Sequence, residues 1–136
     1  MATWLFTEAM LAGKPITVFD QGRLRRDFTY VDDIAEGVRA ALFADGLARS
    51  EIFNLGDHQA QTVLSLIGII ARELGVEPRC EFLPMQPGDV PATYADIARA
   101  RAKLGFEPRI PLEQGVPRFV RWYLDYHGIR QPATPA

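Results

Sequence analysis

Apolar positions recur at helical spacing in five stretches of the chain, with short β-type runs between them. Residues 3–12 carry Leu5, Phe6, Ala9, Met10 and Ala12 at helical intervals, with Thr3 as cap and Gly13 and Pro15 as the stop. Residues 16–19 form a β-type run that ends in the turn residues Asp20, Gln21 and Gly22. Polar and apolar residues then alternate over 25–31, which predicts a strand with Arg26, Phe28 and Tyr30 on one face. Asp33 and Glu36 match a capping box. They predict a helix to about Ala44 with Ile34, Val38, Ala41 and Leu42 on its apolar stripe.

After a loop of small and polar residues, 45–50, residues 52–55 read as a strand ended by Gly56. Thr62 caps a predicted helix with Val63, Leu66, Ile67, Ile70 and Leu74 inward and Gly75 at its end, while Leu64 and Ile69 fall off the stripe. Residues 79–83 read as a strand stopped by Pro84. Pro87, Gly88 and Pro91 make the next stretch an irregular loop. Residues 96–104 predict a short helix, and 112–127 a last one with Val116, Phe119, Val120 and Tyr123 on one side. Pro117 has no N–H to give residue 113, so it either begins the regular part of that helix or kinks it. The pattern is α/β with short strands and about five helices, unlike a complete doubly wound sheet. It divides into one unit, 1–128, and a flexible tail, 129–136.

The length of 136 residues suits one domain or part of a larger one. With 48% hydrophobic and 24% charged residues, intrinsic disorder is excluded as a class. The formal net charge of −2 argues against a generally basic nucleic-acid binder. Cys80 is the one cysteine, so no intrachain disulfide forms and the expected location is the cytoplasm. No apolar run approaches the roughly 18 residues of a membrane span. The first ten residues lack a basic region and include Glu8, unlike a signal peptide. Trp4 and Trp122, with Leu64 and Ile69, hint at apolar surface that needs a partner.

Two segments could carry chemistry. Arg23, Arg25 and Arg26 lie at a strand start, and Arg26 shares a face with aromatic residues. A guanidinium there suits a phosphate with a planar ring nearby, and Asp27 is placed to orient an arginine. The competing reading is a solvated ion-pair cluster on an edge strand. In the second segment, 85–96, prolines and a glycine fix a loop path on which Asp89 and Thr93 present an acceptor and a hydroxyl to a ligand such as a sugar. The competing reading there is a turn leading to an Asp96 helix cap. His58 and His127 have no metal-ligand spacing with Cys80, and His58 reads as solvent-exposed. There is no Gly-x-Gly-x-x-Gly, no phosphate-binding loop and no nucleophile motif.

Taken in order, GKPITVFDQGRLRRDFTYVDDIAEGV, FNLG, FLPMQPGDVPATYAD and the closing RFVRWY resemble the extended short-chain dehydrogenase/reductase class of NAD-dependent nucleotide-sugar epimerases and dehydratases. Within that class the two long runs are most similar to UDP-glucuronate 4-epimerases, and the resemblance covers roughly residues 3–127. It implies the C-terminal, UDP-sugar-binding portion of such an enzyme. The NAD-holding Rossmann domain, with its Tyr-x-x-x-Lys pair, supplies catalysis in the full-length family. This sequence has neither that pair nor the glycine fingerprint, so the resemblance implies a chain with no cofactor of its own and no activity alone. By resemblance, the Val18–Phe19 backbone meets the uracil edge and Arg26 the diphosphate. Asp89 lies near the ribose hydroxyls, and Thr93 near the sugar ring. Gln86 stands where many relatives carry a second phosphate-binding arginine. The expected partners are a UDP-sugar, weakly bound, and either further copies of the chain or a separate Rossmann-domain chain. Neither nucleic acid nor a membrane is expected. The alternative is a non-catalytic assembly module.

Overall fold

Helix α1 (Ala2–Leu11) leads into strand β1 (Ile16–Phe19) in the computed structural model, which describes residues 2–130. A single 3-10 turn over Asp20–Gly22 carries the chain to the two-residue strand β2 (Arg25–Arg26). Helix α2 (Val31–Phe43), strand β3 (Gln61–Thr62) and helix α3 (Val63–Leu74) follow. The described chain ends with strand β4 (Cys80–Leu83) and helices α4 (Ala98–Leu104) and α5 (Leu112–Tyr126). Strands β1 and β4 pair in parallel with Ile16 opposite Cys80 and Phe19 opposite Leu83. Strand β2 pairs antiparallel with β3, and Arg25 also bridges to Ala92.

The core lies between α1, β1, α3 and α5. Leu66 and Ile70 of α3, Val18 of β1 and Val120 of α5 are all at most 1% exposed. Leu112, Val116, Val120 and Leu124 recur at intervals of four along α5 and put one face against α3. Burying each such side chain contributes about 1.5–3 kcal/mol. Ile69, read from sequence as off the stripe, is buried at 6% because α3 is packed by α1 as well as α5 and so buries more than one stripe. The predicted ends of α3 hold. Ser65 N–H donates to Thr62 Oγ1 at 3.0 Å, and Gly75 sits at φ 67°. Helix α5 runs through Pro117 without being divided there.

Three predicted elements differ, two because a tertiary hydrogen bond takes a residue elsewhere and one because its side chains pack on a different core. The strand expected over 25–31 stops at Arg26, where Asp27 leaves the ladder to accept from three backbone amides of other segments. Helix α2 starts at Val31, and Asp33 is no cap. Its buried carboxylate accepts from Arg109 N–H at 3.1 Å and Ile110 N–H at 3.0 Å. Residues 52–55 form no ladder. Phe53 and Leu55 instead pack on a second small core of Ile97, Ala100 and Phe106. Ordered attachment here also comes from Glu51, whose side chain is 4% exposed against Arg99 and Lys103. The Ala48 N–H and then Lys103 hold its carboxyl down to about 2. Of the expected 129–136 tail, residues 131–136 lie outside the described residues.

Helix α2 is turned relative to its predicted stripe. Asp33 and Gly37 face inward, and a Cβ on Gly37 would lie 2.8 Å from both methyls of Leu55. Ile34 and Ala41 are half-buried, whereas Val31, Val38 and Leu42 are 67%, 49% and 71% exposed. The apolar stripe of this helix therefore points to solvent.

Candidate functional site

Two chain segments distant in sequence meet at the strand pair β2–β3. The Arg25 N–H donates to Pro91 O at 2.8 Å, and the Thr93 N–H donates to Arg25 O at 3.1 Å. These two bonds lay residues 91–93 along β2. Upstream, Asp89 N–H donates to Gln86 O at 3.1 Å across a turn in which Gly88 has φ 85°. A positive φ of that size is the conformation glycine adopts at least cost. The turn brings Asp89 over β2.

Arg26 receives it. Its Nη2 is 2.5 Å from Asp89 Oδ1, and its Nη1 donates to Val90 O at 3.0 Å and to Arg25 O at 2.9 Å. The two side chains are 26% and 27% exposed, so the pair sits at the surface with solvent access. Arg25 points elsewhere and clasps Ala60 O with Nε at 3.1 Å and Nη2 at 2.7 Å. Arg23 pairs locally with Asp20. Of the three clustered arginines, Arg26 alone reaches the long loop with its side chain.

The expected residues thus fall into two groups. Arg26, Asp89, Gln86 and Thr93 are brought together by the loop and β2, with Gln86 and Thr93 exposed. Val18 and Phe19 lie in β1. Val18 is 1% exposed as a whole residue, backbone included, and Phe19 is half-buried. Strand β1 pairs with β4 alone, which leaves its other edge unpaired among the described residues. A cavity of about 480 Å3 lies beside it, lined by Val18, Phe19, Phe6, Leu24 and Val63 among others. None of Arg26, Gln86, Asp89 or Thr93 lines that cavity. The aromatic neighbours expected for Arg26 are elsewhere, because the strand ends early. Phe28 packs on the main core, and Tyr30 lies under Arg118, 5.4 Å from ring centre to guanidinium.

The expected role of Asp27 also changes. It orients no arginine. Its Oδ1 accepts from Asp57 N–H at 2.8 Å and from Thr29 Oγ1 at 2.8 Å. Its Oδ2 accepts from Ala95 N–H at 2.9 Å and His58 N–H at 3.2 Å. Burial alone would push its pKa up. The bonds from Ala95, Asp57, Thr29 and His58 outweigh burial and hold it below the ordinary value. Gly56 is required beside it, since a Cβ there would come within 2.6 Å of Asp27 Oδ2. Next to it Asp57 is 8% exposed, and burial followed by the Asp27 charge raises its pKa. His58 is not the exposed residue expected: it is half-buried at φ 56°, and its Nδ1 has no hydrogen-bond partner. Asp27 is thus the knot that fixes the loop's far end to β2. Its sequence signal was the Asp-x-Thr spacing, in which the hydroxyl at 29 helps hold the carboxylate.

Residues 3–119 match the GDP-mannose 4,6 dehydratase family. The chain belongs to that family. Among relatives in this family, UDP-glucuronate 4-epimerase 1 of Arabidopsis thaliana is 40% identical over 148 residues, taking in 98% of this chain and 34% of that protein. The UDP-glucuronic acid 4-epimerase of Bacillus cereus, in complex with NAD, has a TM-score of 0.83 and 28% identity over 99% of this chain and 41% of its own. The UDP-glucose 4-epimerase of Thermotoga maritima, with UDP-glucose, has a TM-score of 0.83 and 30% identity over 93% of this chain and 40% of its own. The chain therefore spans about a third to two-fifths of the length of these family members. The α/β fold expected from the resemblance is the fold these structures share with it. No helix among the described residues is long and apolar enough to cross a membrane.

The Bacillus cereus structure holds NAD, and the described residues here do not fit a dinucleotide. A dinucleotide site needs a strand running through a glycine-rich turn onto a helix N-terminus. Strand β1 runs into a 3-10 turn and β4 into an irregular loop. Among the described residues, the one direct step from a strand to an α-helix, β3 to α3, has Thr62 at the cap position, with no glycine between residues 57 and 66.

Proposed function

We propose that residues 1–128 form the substrate-binding portion of a nucleotide-sugar epimerase, taking a UDP-sugar between β1, β2 and the 86–93 loop, and that this chain does not catalyse alone. The carrying observation is the Arg26–Asp89 pair, two charged groups held together at the surface although they lie 63 residues apart in sequence. In this reading the unpaired edge of β1 at Val18 and Phe19 meets the uracil. The Arg26 guanidinium meets the diphosphate, as its planar array of donors suits. Asp89 accepts from the ribose hydroxyls, and Thr93 faces the sugar. Gln86 brings an amide where a second cation would strengthen phosphate binding, so the affinity is modest. The support from relatives is that family members of known structure hold UDP-glucose or UDP-glucuronic acid together with NAD. A hydride acceptor and a general base belong to the chemistry of such enzymes, and no residue here is assigned to either role.

Chemical-shift titration with UDP and UDP-glucuronate tests this. A charge-assisted bond to phosphate contributes about 1.5–3 kcal/mol. Arg26→Ala should therefore weaken binding by about ten- to a hundredfold, and Arg49→Ala, on the exposed loop before Glu51, should change it little. Shifts clustering away from Val18, Phe19, Arg26 and Asp89, or an Arg26→Ala titration like that of the unaltered chain, would sink the site.

The outward stripe of α2 favours a second reading, an assembly module that self-associates or completes a separate Rossmann chain. Val31, Val38 and Leu42, each about half exposed or more, form a stripe of the kind that recruits a partner. Sedimentation of the chain from micromolar to millimolar concentration is expected to give a dimer or larger species. A monomer throughout that range counts against this reading.

A further inference from the structure

Residues 84–90 span two fixed points. Upstream, Leu83 is held in β4 opposite Phe19, and downstream residues 91–93 are bonded to the backbone of β2. Between them every residue is exposed except the half-buried Asp89. One local bond, Asp89 N–H to Gln86 O, shapes the turn, and Val90 N–H donates to Asp89 Oδ1 at 2.8 Å. Among the described bonds, what ties this span to the rest of the protein is the Arg26 side chain, through Asp89 Oδ1 and Val90 O. The same guanidinium is the group assigned above to the diphosphate.

We propose that Asp89 sets the affinity of the site by occupying Arg26 until a diphosphate displaces it, so that ligand binding exchanges one anion for another and releases residues 84–90. This rests on the assignment of Arg26 to the phosphates. Asp89 and a diphosphate compete for a limited set of donors. In the ligand-free chain Arg26 Nη1 serves two carbonyls and Nη2 serves Asp89. A diphosphate that takes Nη2 and Nε in a forked pair must remove the carboxylate from Nη2. An affinity measured against a partly occupied group is lowered by the fraction of time that group is open. The pair, with side chains 26% and 27% exposed, has solvent access and is weak enough to yield, since surface pairs contribute about 0.2–1 kcal/mol. The exchange also frees Asp89 for a ligand hydroxyl, so its two roles follow one another: it holds Arg26 first and accepts from the ribose afterwards.

Inorganic pyrophosphate and uridine separate the two roles, because the first has no ribose and the second no phosphate. In the full chain, Asp89→Asn keeps the shape and removes the competing charge. It is expected to bind pyrophosphate about three- to tenfold more tightly than the unaltered chain, and uridine no more tightly. Adding Arg26→Ala to that variant should abolish the gain. Hydrogen exchange gives a second reading on the unaltered chain. Saturating pyrophosphate should speed exchange at the Asp89 and Val90 amides and leave Thr93, bonded to Arg25 O, protected. If Asp89→Asn binds pyrophosphate equally or less tightly while Arg26→Ala weakens it, the exchange is wrong and the phosphate site stands. If Arg26→Ala leaves pyrophosphate binding unchanged, or no variant binds it, both fall.

Discussion

Asp27→Ala is expected to lower the stability of the chain by about 2 kcal/mol or more, read as the midpoint and slope of urea unfolding. The carboxylate accepts from the backbone N–H groups of Ala95, Asp57 and His58 and from the Thr29 hydroxyl. A buried donor left without its acceptor costs about 1–3 kcal/mol, and alanine would orphan the Ala95 and His58 amides in one step, while the Asp57 N–H keeps Thr29 Oγ1 at 3.1 Å. Partial access of water to the site keeps the estimate near the lower end for each. Asp27→Asn retains an acceptor oxygen and should lose less. The acid limb gives an independent check. The folded-state pKa of Asp27 lies below its ordinary value of 3.8, so the carboxylate's contribution is fully present above that value and is lost as pH falls through the lowered one. That part of the acid dependence should be missing from Asp27→Asn. An Asp27→Ala chain that unfolds at the same urea concentration as the unaltered one would remove Asp27 as the knot of the fold.

Gly22→Ala is expected to cost about 2–5 kcal/mol. Gly22 ends the turn between β1 and β2 at φ 73°, a left-handed conformation. An alanine there costs about 1–2 kcal/mol from backbone alone. The added Cβ would also fall 2.3 Å from Leu64 Cγ and 2.8 Å from its Cδ2, so a branch point and not merely a chain end must move. Overpacking of that kind adds about 1–3 kcal/mol. Gly13→Ala separates the two contributions, since Gly13 has φ 63° with nothing within 4 Å of its would-be Cβ. It should lose only the backbone part. Because Gly22 aims the chain into β2, nucleotide affinity should fall with stability in Gly22→Ala and stay unchanged in Gly13→Ala. Thermal midpoints of the two variants, taken side by side, decide this. Equal losses would remove the steric argument.

The sequence made the helices legible where one face is decided locally. Thr62 and Gly75 bound α3 as their chemistry requires, and of the predicted α5 face Val116, Val120 and Tyr123 are buried, with Phe119 packed against the core. It misled where a side chain serves a distant segment. Asp33, followed three residues later by Glu36, has the pattern of a helix cap, but its carboxylate is drawn to the amides of Arg109 and Ile110. Asp27 breaks an alternating run for the same reason. Capping and periodicity are local rules, and neither carries information about an acceptor needed by residues far along the chain. The α2 stripe misled differently. Periodicity located the apolar face but could not say which way it points, and Gly37 against Leu55 turns the helix so that the small residue faces inward. For the candidate site, Arg26 and Asp89 were each identifiable, whereas their direct contact depends on the turn at Gly88 and the bridge at Ala92.

The separation of Arg26 and Asp89 has a kinetic meaning. Closing a loop of 63 residues costs about 4 kcal/mol in chain entropy beyond a constant. An ion pair with solvent access, contributing about 1 kcal/mol, cannot drive that closure. The β1–β4 ladder and the packing of α3 on α5 must assemble first, and the pair then forms across ends already brought near. The site is therefore a late event in folding, and it reports on every earlier one. A core variant such as Val120→Ala would slow or undo the assembly of a pocket it never touches. Loss of ligand binding in this chain consequently carries information about the site only when the folded population has been measured in the same sample.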